Sequence, residues 1–208
     1  MKILVVAATL PEIQASCSFL ERQQVDYLIT GVGMVATAYQ LGKHLAGHSY
    51  DLIINVGIAG ILNTAHPLTR VYRVLSDEIF QFGAEDKEHF IPIEQLGFGN
   101  SSYKEKSIDR LEALLSEIPT AMGITVNKVH GNSAHIAKLR EQRDSNTLES
   151  MEGVAVFYAA NQENTPCYQF RASSNYIAPR DRDRWEIAGA IAQINRFLQG
   201  FIGEIQKH

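Results

Sequence analysis

Lys2-Ile3-Leu4-Val5-Val6-Ala7-Ala8 is an almost unbroken apolar run, closed a few residues later by Pro11-Glu12. A half-exposed strand would alternate apolar and polar residues, so a continuous run of this length predicts a strand buried on both faces. Outward from it, the pattern predicts a helix over 11–22, a strand over 26–30 and a helix over 34–45. Asp51 to Val56 is a second largely apolar strand, and it ends in Gly57-Ile58-Ala59-Gly60, where small residues let backbone approach a ligand closely. Strand and helix alternate, which predicts parallel strands joined by crossover helices and a sheet covered on both faces. Binding sites in such folds lie at the carboxyl ends of the strands.

Residues 70–102 carry β-branched and aromatic residues with Gly and Pro breaks, as in Val71-Tyr72-Arg73-Val74 and Ile79-Phe80-Gln81-Phe82, and predict strand pairs with a long loop. Beyond them the expectations are a helix over 107–117, a strand over 123–129, a helix over 133–143 and a helix over 151–162. The last core strand is expected over 168–173, followed by a long amphipathic helix over 184–205. No internal repeat or low-complexity tract divides the chain, and one domain over 1–208 is the expectation.

Composition narrows the function. With 45% hydrophobic residues and a net charge of -4 over 208 residues, the chain can bury one sizeable core. Lys and Arg are scattered singly, so the basic stripe of a nucleic-acid binder is missing. The apolar stretch Ile3 to Leu10 is too short for a signal-peptide core with its flanks or for a membrane span, and a cytoplasmic protein is expected. Cys17 and Cys167 stand far apart without CxxC spacing, as buried thiols do, and receive no catalytic role.

Two motifs are weak. Gly31-Val32-Gly33-Met34-Val35-Ala36 matches a dinucleotide fingerprint, but that fingerprint opens on the first strand and needs an acid at the end of the next, whereas Asp51 begins a strand. The glycines are read as a tight turn. His44 and His48 have the i, i+4 spacing of two metal ligands with no third at a recognisable spacing, so no metal site is expected.

Three segments carry the chemistry: Leu10-Pro11-Glu12 after the first strand, Glu149-Ser150-Met151-Glu152-Gly153 read as a turn before a helix, and Phe170-Arg171-Ala172-Ser173-Ser174-Asn175 at the end of the last strand. Each places polar groups on one edge of the sheet. Cutting a glycosidic bond needs a carboxylate to deprotonate water, groups to hold the sugar hydroxyls as an oxocarbenium-like transition state forms, and a partner for the departing base. The three segments supply these functions. His130, in Val129-His130-Gly131-Asn132, is expected at the end of a strand on the same rim.

Together these residues resemble the nucleoside phosphorylase and hydrolase superfamily, in its branch of methylthioadenosine/adenosylhomocysteine nucleosidases, and within that branch the futalosine hydrolases of menaquinone biosynthesis. The resemblance runs from Met1-Lys2-Ile3 through Asn55-Val56-Gly57-Ile58-Ala59-Gly60 and Ser150-Met151-Glu152-Gly153 to Arg171-Ala172-Ser173-Ser174-Asn175 and Pro179-Arg180-Asp181-Arg182-Asp183-Arg184-Trp185. It implies a single α/β domain with a twisted, partly barrel-like mixed sheet flanked by helices, no cofactor, and a homodimer or higher homo-oligomer. It also implies that Glu12 is the general base of a purine nucleosidase. Met151 packs the ribose while Glu152 holds its hydroxyls, and Val129 and His130 bracket the base. Gly57, Ile58, Ala59, Ser150 and Arg171 complete the expected substrate-binding set.

Asn175 departs from the pattern of the adenine-cleaving nucleosidases, which carry Asp at that position. An amide can offer its oxygen to a protonated N7 and its NH2 to an oxygen at position 6, a pairing suited to a 6-oxopurine, hypoxanthine or guanine. The resemblance therefore points to futalosine, cut to hypoxanthine and dehypoxanthine futalosine, with Glu12 and Asn175 as the catalytic pair. Arg73, Arg180 and Lys128 are the candidates for the substrate's benzoate carboxylate. A phosphorylase, another purine nucleosidase and a non-catalytic nucleoside- or dinucleotide-binding protein stay open as alternatives. Against the phosphorylase, Ala7-Ala8-Thr9-Leu10 lacks the glycine and basic residues of a phosphate cradle.

Overall fold

The computed structural model of the chain describes residues 1–207. β1 (Ile3–Ala7) is buried at every position, and its side chains alternate between two cores. Ile3, Val5 and Ala7 join the cluster that holds Ile194, Leu198 and Phe201, whereas Leu4 and Val6 join the one that holds Leu41, Val156 and Phe157. Two covered faces explain the apolar run.

The first half follows the expected order: α1 (Leu10–Arg22), β2 (Asp26–Ile29) and α2 (Met34–Leu45). β3 (Leu52–Ile61) differs. It continues through Gly57-Ile58-Ala59-Gly60 instead of ending at Val56, because the last strand pairs with it from Ile53 to Ile61 and that ladder overrides the low strand preference of glycine. β4 (Val71–Ile79) is one long strand, followed by the hairpin β5 (Gly83–Asp86) and β6 (His89–Pro92), and by β7 (Ser102–Lys104). The helix expected over 107–117 shortens to a 3-10 turn at Asp109–Leu111 and α3 (Glu112–Leu115).

Four further boundaries move. β8 (Thr120–Thr125) leaves the sheet before Asn127, so Val129 and His130 stand in a loop and not at a strand end. α4 (Ser133–Gln142) is where expected, and Asn132 caps it through its side chain. The segment read as a turn contains a strand, β9 (Thr147–Ser150), with all four residues buried. Its Thr147 and Glu149 are buried polar residues, and Glu149 is held by His130, so no apolar alternation marks it. Consequently α5 (Gly153–Gln162) begins after Glu152, and Met151 and Glu152 lie in the bend before it. β10 (Cys167–Tyr176) runs three residues past its expected end, with an irregularity between Ser173 and Asn175. α6 (Ile187–Ile205) follows a 3-10 turn at Arg182–Arg184.

The sheet is mixed, not all parallel. β10, β4, β8, β9 and β3 follow one another, and β3 also pairs with β10, which closes these five strands into a small barrel; β1 and β2 continue from β3 as an open wing. One edge of β3 pairs with β1 from Leu52 to Asn55 and with β9 only from Gly60 onward. Wing and barrel part between those points, and the candidate site lies there, as expected where neighbouring strands diverge. Among the described residues, no helix is long and apolar enough to cross a membrane.

Candidate active site

Thr9 opens α1, and the Glu12 side chain folds back to accept both the Thr9 backbone N–H and the Thr9 hydroxyl, each at 2.9 Å. Its other oxygen accepts the N–H of Ile58 at 3.2 Å, on the stretch of β3 that neither β1 nor β9 occupies. Three donors from two elements therefore fix a carboxylate that is only 8% exposed. Thr9-Leu10-Pro11-Glu12 matches the capping-box pattern, a signal that could have singled out Thr9 from the sequence.

Glu12 borders a cavity of about 430 Å³ whose lining includes Thr9, Ile58, Ala59, Val129, His130, Ser150, Met151, Glu152 and Asn175. The residues expected from three distant segments thus meet around one space. Glu152 sits at the start of α5 and accepts the backbone N–H of Gly33 at 2.9 Å. Gly31 and Gly33 both adopt positive φ, at 86° and 95°, so the weak glycine motif is a turn that reaches this carboxylate. The Asn175 Nδ2 donates to the Tyr176 carbonyl at 3.1 Å, and its Oδ1 accepts the Ser174 hydroxyl at 2.9 Å. Flipping the amide would set oxygen against the Tyr176 carbonyl, so the contact dictates its orientation. One N–H and one lone pair stay available.

Arg171 and Gly57 lie behind the cavity and do not line it. Arg171 is 2% exposed, with no partner for its Nε or Nη2, and its guanidinium presses on Gly57. A Cβ on Gly57 would collide with Arg171 Nη1 and come within 2.7 Å of Glu12 Oε1, so only glycine leaves both side chains in place. Arg171 is therefore corrected from a substrate contact to a buried cation behind Glu12. Its charge also reaches Asp77, a buried carboxyl pushed up to about 6 by burial although Gln169, Thr125 and Arg171 each pull it down. Gln169 and Thr125 each donate to Asp77 at 2.8 Å. Thr125 in turn accepts the N–H of Val154, which ties the start of α5 to the barrel interior.

Of the three basic candidates, Arg73 is held by Glu105 and Glu112, and Lys128 lines a neighbouring groove. Arg180 alone lines the cavity, stacked over Trp185 at 5.0 Å. His44 and His48 stack on each other at 4.5 Å, and His44 meets the Tyr50 hydroxyl at 2.8 Å. Among the described residues, no group of three or more His, Cys, Asp or Glu could hold a metal ion. Cys167 is fully buried, which pushes its thiol up. Sequence reasoning missed Asp77 and named Gly33 and Glu149 only as members of their motifs, because the contacts of all three depend on strands or turns far away in the chain.

A parted strand edge, a carboxylate held over it and a cavity at the strand ends that gathers Glu12, Glu149, Glu152 and Asn175 define the candidate active site of an α/β domain. The chain belongs to the phosphorylase superfamily, whose family model matches residues 14–204. Within it, the chain is 32% identical to the futalosine hydrolase of Streptomyces coelicolor over 177 residues, 81% of this chain and 74% of that one. It is also 32% identical to the futalosine hydrolase of Acidothermus cellulolyticus over 195 residues, 88% of this chain and 78% of that one. In fold it is similar to the 5'-methylthioadenosine/S-adenosylhomocysteine nucleosidase of Helicobacter pylori, with a TM-score of 0.80, 13% identity and 98% of each chain covered.

Proposed function

We propose that this chain is a single nucleosidase domain that hydrolyses the N-glycosidic bond of futalosine to hypoxanthine and dehypoxanthine futalosine. The observation that carries the reading is the convergence of Glu12, Glu152 and Asn175 on one cavity, in a chain whose curated relatives are futalosine hydrolases. Glu12, held by three donors, takes a proton from water as the water attacks the anomeric carbon. Glu152 accepts the ribose hydroxyls, and those bonds tighten as positive charge builds on the sugar. Asn175 meets the departing base with its remaining lone pair and N–H. Arg180, the cation at the cavity wall, faces the benzoate carboxylate, with Trp185 beside it.

Water is favoured over phosphate. Beside Glu12 the wall is Ala8, Thr9, Pro11, Ile58 and Ala59, and the nearby cation, Arg171, lies behind Glu12 without lining the cavity, so no basic side chain reaches in to hold a dianion next to a carboxylate. We further take the enzyme to be cytoplasmic and a homodimer or higher homo-oligomer. The exposed apolar residues Val32, which lines the cavity, and Val35 and Tyr39, on α2 just after it, support the assembly, which sedimentation or light scattering would measure.

Product analysis with purified protein tests the function. Futalosine in phosphate-free buffer should yield hypoxanthine, at a rate that added phosphate does not raise. No hypoxanthine, or a product that forms only with phosphate, would overturn it.

A further inference from the structure

Glu149 has no part in the reading above, yet it is a buried carboxylate on the cavity wall. Its Oε1 accepts the backbone N–H of His130 at 3.1 Å, and its Oε2 is in hydrogen-bond contact with the Nδ1 of the same residue. Two groups of one residue thus hold it, and His130 also lines the cavity. In the antiparallel pairing of β3 and β9, Glu149 stands opposite Gly60, so their side-chain positions share one face. On that face a Cβ at Gly60 would lie 3.2 Å from Asn175 Nδ2. The missing side chain at Gly60 leaves the Glu149 carboxylate and the Asn175 amide on the same side of the barrel wall, the side where the base partner was placed above.

We infer that Glu149 is the acceptor for the N1–H of a 6-oxopurine, and that it excludes 6-aminopurines; this rests on the base-binding part of the proposed function. A 6-oxopurine carries hydrogen on N1, whereas adenine presents a lone pair there. An ionised carboxylate offers lone pairs only, so it makes a charge-assisted bond to the first and sets acceptor against acceptor with the second. Asn175 cannot make that distinction alone, because an amide offers both a donor and an acceptor. His130 acts as the positioning residue. Its N–H and ring aim a carboxylate that would otherwise be buried without partners, an arrangement that costs free energy.

Binding to the unmodified protein gives the first test. Hypoxanthine, its 1-deaza analogue (C–H in place of N1–H) and adenine are titrated by calorimetry or by competition. The 1-deaza analogue and adenine should each bind at least about tenfold more weakly than hypoxanthine, the cost of an unmatched buried polar group. Equal binding of hypoxanthine and the 1-deaza analogue would overturn the inference. The second test is the ratio of kcat/KM for the hypoxanthine nucleoside to that for its 6-amino counterpart. Glu149→Gln should lower this ratio about tenfold or more, because its amide can donate to the N1 of adenine. His130→Gln should lower it in the same direction, whereas a merely structural role would reduce both substrates alike and leave the ratio unchanged. An unchanged ratio in folded Glu149→Gln also overturns the inference, and if that variant fails to fold, the binding test on the unmodified protein decides. A protein that binds hypoxanthine selectively but never cuts futalosine would keep this inference and remove the catalytic reading.

Discussion

The backbone N–H of Gly33 donates to Glu152 Oε1 at 2.9 Å, across 119 positions of sequence. Gly33 is the N-cap of α2, so the positive end of that helix faces a carboxylate of the protein itself. A glycine turn that resembles a nucleotide cradle in sequence here holds the residue proposed to clamp the ribose.

Glu152→Ala should therefore damage both affinity and rate, and Gly33→Ala should reproduce part of the loss. The Gly33 backbone, at φ 95° and ψ 151°, lies where side chains are strained by about 1–3 kcal/mol, although open space surrounds the new Cβ. The measurement is the ratio of kcat/KM for the ribonucleoside to that for its 2'-deoxy analogue. It should fall in both variants, and an unchanged ratio in Glu152→Ala would remove the hydroxyl clamp.

Glu12→Gln should leave nucleoside binding largely intact and lower turnover by roughly a hundredfold or more, since an amide cannot take the proton from water. Gly57→Ala should also lower turnover without touching substrate, by displacing Arg171 and Glu12 from the backbone against which both pack. Near-normal turnover in Glu12→Gln would exclude Glu12 as the base.

Asn175→Asp should weaken the preference for hypoxanthine over adenine nucleosides. The aspartate offers an acceptor to the 6-amino group, and against a 6-oxo group it sets oxygen against oxygen. With Glu149 also reading the base, the preference should shrink and not fully reverse. Comparing kcat/KM for futalosine and its 6-amino counterpart checks this, and an unchanged ratio would show that Asn175 does not read the base.

Asp77 should make stability depend on pH. Its folded carboxyl is pushed up to about 6 by burial, against an ordinary value of 3.8, so between those values the folded state holds more protons than the unfolded chain. Stability from this group therefore falls as pH rises through that window and levels off above it, by about 3 kcal/mol at most. Asp77→Asn removes the titration. The difference in unfolding free energy between variant and parent should shift in the variant's favour from pH 4 to pH 7 in denaturant melts, whereas a constant difference would contradict the assignment.

Much of the fold was legible because it is a property of neighbouring residues. The apolar run of β1 announced burial on both faces, and α2 begins at Met34 and ends at Leu45 as its periodicity predicts. Glu12 was legible for the same reason: a carboxylate two residues into the helix after a buried strand must stand near that strand's carboxyl end. Where pairing partners set the boundary, local pattern failed. β3 extends through two glycines because β10 runs beside it, and β9 escaped notice because its buried positions include the polar Thr147, Glu149 and Ser150, with Glu149 held by His130 from a distant loop.

The sequence by itself determined the alternating α/β order, the buried first strand, and the residue types a glycosidic cleavage needs, because each follows from the chemistry of a few consecutive side chains. Only the tertiary structure decided that Arg171 lies behind Glu12, that Gly33 reaches Glu152, and that Glu149 shares a face with Asn175. Those relationships depend on which strands are neighbours and in what register. A shift of one residue sends every side chain of a strand to the opposite face, so only the closed barrel sets which distant groups share the cavity wall.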